Sequence, residues 1–206
     1  QTDILLAEAR QIGPDEDAKN LPELIQLGER RSAALLALAL ERIGAPAFVR
    51  QARDLGLKAK KSTLVDLNTN QLEIDLKNHD IVVMPGHVAI GEKDRTVLLA
   101  EGGADMTAIY VAKRLGVKAK LLKDVGGVFE RDPKSSGPQP KRYNKISYDD
   151  AKKVAAPLIS PKALEFAKKH QIEFDLGTPG ISSGTTIGKL TGKLTETTTP
   201  KKLRIA

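Results

Sequence analysis

Two short glycine motifs, one helix and one strand apart, constrain this chain more than any other feature. Residues 99–108 read Leu-Ala-Glu-Gly-Gly-Ala-Asp-Met-Thr-Ala, and residues 123–133 read Lys-Asp-Val-Gly-Gly-Val-Phe-Glu-Arg-Asp-Pro. Between them, residues 104–115 read as a helix closed by Gly116, and 118–122 as the strand that follows. In open α/β sheets ligands bind beyond the carboxyl ends of the strands, which is where both glycine pairs fall. Glycine lets the backbone approach a ligand closely, and the first free N–H groups of a helix point at an anion.

The rest of the chain extends this alternation. Helices are expected over 2–12, stopped by Gly13-Pro14, and over 21–43, stopped by Gly44-Ala45-Pro46. The second half of the longer helix, Ala-Ala-Leu-Leu-Ala-Leu-Ala-Leu at 33–40, is apolar nearly all round and is expected to be buried. Within that helix Gly28-Glu29-Arg30-Arg31-Ser32 sets a carboxylate beside two guanidinium groups, which reads first as a salt-bridged face. Strands are expected at 47–49, 63–67 and 81–84, with a short helix at 70–77. The run Ile-Val-Val-Met at 81–84 has the continuous apolar character of a parallel strand covered on both faces. Residues 88–99 read as a hairpin across 91–94, and 126–140 as a loop with a Ser-Ser-Gly-Pro tip. Ser147 opens a helix, Pro161 starts another that runs to His170, and 172–176 is a strand. This alternation predicts an α/β fold, a three-layer α/β/α sandwich on a mainly parallel sheet. One domain is expected over 1–187, with 188–206, rich in Thr and Lys, as a linker or tail.

Composition narrows the function classes. Aromatics make up 3% of the 206 residues and there is no Trp, so the core must be built from Ala, Val, Leu and Ile. The absence of cysteine excludes disulfides, thiolate metal sites and a thiol nucleophile. The formal charge is +7 and the pI about 9.5, but the lysines are spread along the chain without stacking aromatics. That pattern fits a solvated surface tolerant of anions and argues against a nucleic-acid partner. No apolar run is long enough to span a bilayer and no secretory leader is visible, so no membrane partner is expected and the location is expected to be cytoplasmic.

At the first motif, Gly102 and Gly103 are candidates for receiving an anion, and Asp105 either caps the helix or orients a reacting group or lysine. At the second, Lys123-Asp124 and Asp132-Pro133-Lys134 bracket the glycines; a carboxylate there can hold a ribose hydroxyl and a lysine can meet phosphate. His79, His87 and His170 have no partners at metal-ligand spacing, so no metal site is expected, though His87 stands at a strand end from which it can face the cleft. Gly184-Thr185-Thr186 lacks the lysine of a P-loop.

These residues resemble the amino acid kinase family, its aspartokinase branch in particular. The family signature Arg-Gly-Gly-Ser-Asp-Thr-Thr-Ala is matched by 101–108, and its nucleotide loop Thr-Asp-Val-Asp-Gly-Val-Tyr-Thr-Ala-Asp-Pro-Arg by 123–134. Residues 27–36 are similar to Thr-Gly-Glu-Arg-Leu-Ser-Ala-Ala-Leu-Leu, 146–150 to Ile-Ser-Tyr-Glu-Glu, 158–163 to Val-Leu-His-Pro-Arg-Ala and 184–187 to Gly-Thr-Leu-Ile. The resemblance implies ATP-dependent phosphorylation of the aspartate side-chain carboxylate, with Mg2+ bound through the nucleotide phosphates. It implies that Glu29 helps hold the amino acid and that Gly102 and Gly103 receive phosphate or substrate carboxylate. It further implies that Asp105 organises a catalytic lysine, and that Lys123, Asp124, Phe129, Asp132 and Lys134 line the nucleotide site. A homodimer or higher homo-oligomer is implied as well.

The departures are chemical. The family's Lys-Phe-Gly-Gly strand has no counterpart, Glu101 stands where an arginine clasps the substrate carboxylate, Ala104 replaces the signature serine, and Pro157 a phosphate-facing lysine. Glutamate in place of arginine at a bidentate site repels the ligand it should clasp. The regulatory ACT pair is also missing, although 201–206 resembles the linker that enters it. Three readings stay open: a fragment of an aspartate kinase, a divergent kinase for another small carboxylate or amino acid, and a non-catalytic nucleotide-binding or regulatory relative.

Overall fold

The computed structural model describes residues 2–13, 19–155, 158–180, 184–190 and 194–195. Pro14, Pro157 and the tail from 196 onward lie outside the described residues. The chain divides into two compact units, Gln1–Leu115 and Gly116–Ala206.

Unit 1 begins with helices α1 (Thr2–Ile12) and α2 (Leu21–Arg42), followed by strands β1 (Ala47–Val49), β2 (Lys58–Lys60) and β3 (Thr63–Asp66). Then come α3 (Thr69–Asn78), β4 (Ile81–Val83), β5 (Val88–Ile90), β6 (Thr96–Leu98) and α4 (Gly103–Leu115). β1 and β4 pair in parallel, Phe48 opposite Val82. A second sheet has the order β3-β2-β5-β6, in which β2 and β5 run parallel and the outer pairs antiparallel. The expected hairpin is the β5–β6 pair, turned through Lys93 and Asp94, both in the left-handed region. Leu55, Leu57, Leu67, Ala89 and Ile109 are fully buried, an aliphatic core as the scarcity of aromatics requires.

The sequence expectation for α2 needs correction. Leu35, Leu36 and Leu38 are about half exposed, and only Ala33 and Ala37 of that run are buried. Ile25, Ala33 and Ala37 fall on one stripe spaced by fours, and the small alanines let α2 lie on β1, β4 and β6. An all-round apolar pattern says nothing about which faces find a neighbour.

α3 is capped by Asn68, whose Oδ1 accepts the Gln71 N–H at 3.2 Å. It is fixed to the end of β1 by a bidentate pair, Arg50 Nε to Asp75 Oδ2 at 2.6 Å and Nη2 to Oδ1 at 2.7 Å. Asp75 is buried, and the Arg50 hydrogen bonds outweigh desolvation, holding its carboxyl below the usual aspartate range. Phe48 lies between the Arg50 guanidinium at 4.6 Å and the stacked ring of His79 at 4.4 Å.

Unit 2 contains β7 (Ala119–Leu122), β8 (Arg142–Tyr143), β9 (Lys145–Ser147), α5 (Tyr148–Val154), α6 (Pro161–His170), β10 (Phe174–Gly177), β11 (Thr185–Gly188) and β12 (Leu194–Thr195). Its main sheet has the order β7-β10-β11-β9, with β7–β10 and β9–β11 parallel and β10–β11 antiparallel. β12, from the segment expected to be a linker, pairs antiparallel with β8. Val128, Ile146, Phe174, Leu176 and Ile187 are fully buried. Ser147 caps α5 by accepting the Asp150 N–H at 3.1 Å, and the buried Tyr148 hydroxyl donates to the Ile172 carbonyl at 2.7 Å.

Candidate functional site

Unit 1 gathers three stretches that are distant in sequence. Glu29 sits one turn from both Ile25 and Ala33 on the buried stripe of α2, so its side chain turns inward rather than joining a surface ion-pair face. Its Oε2 accepts the N–H of Gly86 at 3.1 Å and of His87 at 3.2 Å. Its Oε1 has no hydrogen-bond partner among the described residues, which leaves one carboxylate oxygen for a donor such as an ammonium group. Thr107, buried on α4, donates Oγ1 to the Gly86 carbonyl at 2.8 Å and fixes the same turn from the other side.

The glycines of the first motif are needed for this approach. A Cβ on Gly103 would lie 2.5 Å from Leu99 Cβ and 3.1 Å from His87 Nδ1. Gly102 has φ +77, in the left-handed region that glycine adopts without strain, and its carbonyl accepts the Met106 N–H at 3.0 Å to open α4. Glu29 and Gly103 are thus both set against the Gly86–His87 turn, with Gly102 directly ahead of Gly103. The His87 ring lies against Gly103. Asp105 occupies the first turn of α4, half-buried, and Glu101 is exposed just ahead of the helix.

The second group lies wholly within unit 2. Asp132 organises the loop, its Oδ1 accepting the Lys134 N–H at 2.8 Å and its carbonyl the Ser135 N–H at 3.1 Å. Lys134 Nζ meets Asp124 Oδ2 at 3.2 Å, a pair in which both side chains are about seven-tenths exposed. Such a pair contributes roughly 0–1 kcal/mol, so an incoming anion displaces it at small cost. Lys123 is anchored by its N–H to the Gly177 carbonyl at 2.8 Å. A cavity of about 390 Å³ opens between apolar Val125, Phe129, Val154 and Leu158 and polar Asp124, Asp132 and Lys134.

The second glycine pair is held in place from β11 by Thr185. Thr185 Oγ1 accepts the buried Val128 N–H at 2.8 Å and donates to the Tyr143 carbonyl at 2.6 Å. Gly127, at φ +146, faces both Thr185 and Arg142; a Cβ there would come within 2.7 Å of each. The segment 184–187, which lacks a P-loop lysine and matches the family's Gly-Thr-Leu-Ile, uses its first threonine to position the glycine turn from a neighbouring strand. Among the described residues no cluster of three or more His, Cys, Asp or Glu could hold a metal ion. No helix among them is long and apolar enough to cross a membrane.

The model of the amino acid kinase family matches residues 1–174. Aspartokinase 2 of Bacillus subtilis is 28% identical over 183 residues, covering 85% of this chain and 45% of that protein. The structure of E. coli aspartokinase III in complex with aspartate and ADP superposes with a TM-score of 0.74 at 23% identity, covering 93% of this chain and 45% of that one. Aspartate kinase from Synechocystis gives a TM-score of 0.75 at 25% identity, covering 93% of this chain and 34% of that one. The fold is therefore the α/β fold of the aspartokinases, and the chain spans less than half the length of these relatives.

Proposed function

Because the chain belongs to the amino acid kinase family, we propose that it is the kinase portion of an aspartokinase-like enzyme. Its reaction is transfer of a phosphoryl group from ATP to the side-chain carboxylate of aspartate, the step that opens aspartate-family amino acid synthesis, lysine included. The observation that carries this reading is the meeting of Glu29 with the Gly86 and His87 amides beside the glycine-opened start of α4. There the unpartnered Oε1 of Glu29 takes the ammonium group of the amino acid, and the N–H groups at Gly102 and Gly103 take an anionic group. Asp105, in the first turn of α4, orients the cation that faces the reacting groups.

The unit 2 cavity fits a nucleotide. Its apolar side, with Phe129, suits a base, and Asp124, Asp132 and Lys134 offer partners for ribose hydroxyls and phosphates, with Lys123 next to Asp124 in the chain but outside the cavity lining. Bound ATP supplies the phosphoryl group and carries Mg2+ on its phosphates to neutralise the charge of transfer. The bond that forms joins a carboxylate oxygen to phosphorus and the bond that breaks releases ADP, giving an acyl phosphate. A homo-oligomer goes with this reading, since Leu35, Leu36 and Leu38 give α2 an apolar face for a second copy to cover. A cytoplasmic site of action goes with it too.

A second reading, a nucleotide-binding relative without catalysis, is favoured by Glu101 and Ala104, which replace the cationic and hydroxyl groups expected around the amino acid. A third keeps the kinase and changes the acceptor to another small carboxylate or amino acid. Trapping the acyl phosphate with hydroxylamine separates them. Hydroxamate that depends on both ATP and aspartate supports the first, and hydroxamate with another acceptor only supports the third. None above a blank, with calorimetric ATP binding intact, supports the second.

A further inference from the structure

We propose that unit 1 carries a second ligand site, for a free α-amino acid, in a cavity between the first half of α2, the loop after β1 and the β5–β6 hairpin. The cavity measures about 340 Å³ and shares no lining residue with the Glu29, Gly86, His87 and Gly103 group. Volumes of this order are typical of small-molecule sites.

Its floor is the buried strand β5, Val88, Ala89 and Ile90. Into it projects Thr96, at 8% exposure, whose hydroxyl is hydrogen-bonded to none of the described residues. That hydroxyl keeps access to solvent, so a bound molecule can reach it without first breaking a protein hydrogen bond. The side chains of Arg30 and Gln51, which line the same cavity, likewise have no hydrogen-bond partner among the described residues. Two other groups are already set in place: Arg53 Nη2 donates to the Asp94 carbonyl at 2.6 Å, and Asp54 Oδ2 accepts the Gln51 N–H at 3.0 Å.

The charge pattern selects the ligand class. Arg30 and Arg53 supply two cations, Glu23 and Asp54 two anions, so the lining sums to zero. A polyanion is repelled by the carboxylates, a polyamine by the guanidinium groups, and an apolar molecule leaves the polar lining unmatched. A zwitterion meets both signs, its carboxylate toward Arg30 and its ammonium toward a carboxylate, with Thr96 and Gln51 donating to what remains.

The test is a titration of the full 206-residue chain with L-lysine, L-glutamate and L-glutamine, followed by backbone amide chemical shifts, with inorganic phosphate and putrescine run in parallel. The expected result is saturable binding of at least one amino acid below about 20 mM, with shifts centred on 51–54, 88–90 and 96 and none from phosphate or putrescine. Thr96→Val, which keeps the side-chain shape, should weaken that binding about threefold to tenfold, and Arg30→Gln by about tenfold or more. No shifts over that range, equal shifts from phosphate alone, shifts centred on Glu29 and Gly103, or affinity unchanged in both variants would each overturn the proposal. Because ATP is absent from the titration, its failure leaves the kinase reading untouched.

Discussion

The two glycine motifs are used in opposite ways by the two units. In unit 1 Gly103 is buried, wedged against Leu99 and His87, and Glu29 is set by two backbone amides. In unit 2 Gly127 is buried but the charged residues after it are exposed, held by an aspartate turn and a solvated ion pair. The first arrangement fixes a side chain before any ligand arrives, and the second leaves charge free to be rearranged by one. Mutations should therefore separate stability from binding differently in the two places.

The largest effect is expected from Gly103→Val, which forces a branched side chain into the 2.5 Å gap against Leu99. A loss of about 3 kcal/mol is expected from overpacking, with amino acid binding at Glu29 lost in parallel, read by urea unfolding and calorimetry. A stable Gly103→Val protein would break the contrast. Next comes Thr185→Val, which leaves the buried Val128 N–H and the Tyr143 carbonyl without their shared partner. About 2 kcal/mol of stability should go, together with nucleotide affinity, although Thr185 is not among the residues lining the nucleotide cavity.

The third test is acid titration. Asp75 has a lowered pKa in the folded chain, so its pairing with Arg50 stabilises fully above the ordinary aspartate value and is lost as pH falls through the lower folded value. Plotted against pH, the wild-type urea midpoint should fall in that acid window, and Asp75→Asn should flatten the fall. The smallest stability change belongs to Lys134→Ala: at most about 1 kcal/mol, since its ion pair is exposed. Its ATP affinity should nonetheless drop roughly tenfold, the value of one lost charge-assisted bond. A large stability loss with ATP affinity intact would invert the assignment of the exposed charges to binding.

What was legible in the sequence follows the same division. α1 and α4 were readable because glycine closes each, and the hairpin of β5 and β6 because of the glycine and charges at its tip. β2 was missed because Lys58-Ala59-Lys60 buries a single alanine and turns through Lys61-Ser62, two left-handed residues without the usual Asn or Gly. β8 and β12 are two residues long, too short for any periodicity. At the site, Gly102, Gly103 and Glu29 were visible because motif residues carry their own chemistry. Gly86, Thr107 and Thr185 were not, since each works through a hydrogen bond between a backbone group and a side chain from a distant stretch. Leu35 and its neighbours failed for a related reason: hydrophobicity is local, whereas burial depends on what packs alongside.

The bond from Val128 to Thr185 also has a consequence for the kinetics of solvent hydrogen exchange. Val128 belongs to a loop, yet it is fully buried and its amide hydrogen is held by a strand side chain. Loop amides ordinarily exchange through small local openings, while core amides wait for cooperative unfolding. Val128 should behave as a core amide, exchanging with β10 and β11 rather than with the exposed stretch at 131–137. The glycine turn is in that sense an outlying part of the unit 2 sheet, opening only when the sheet does.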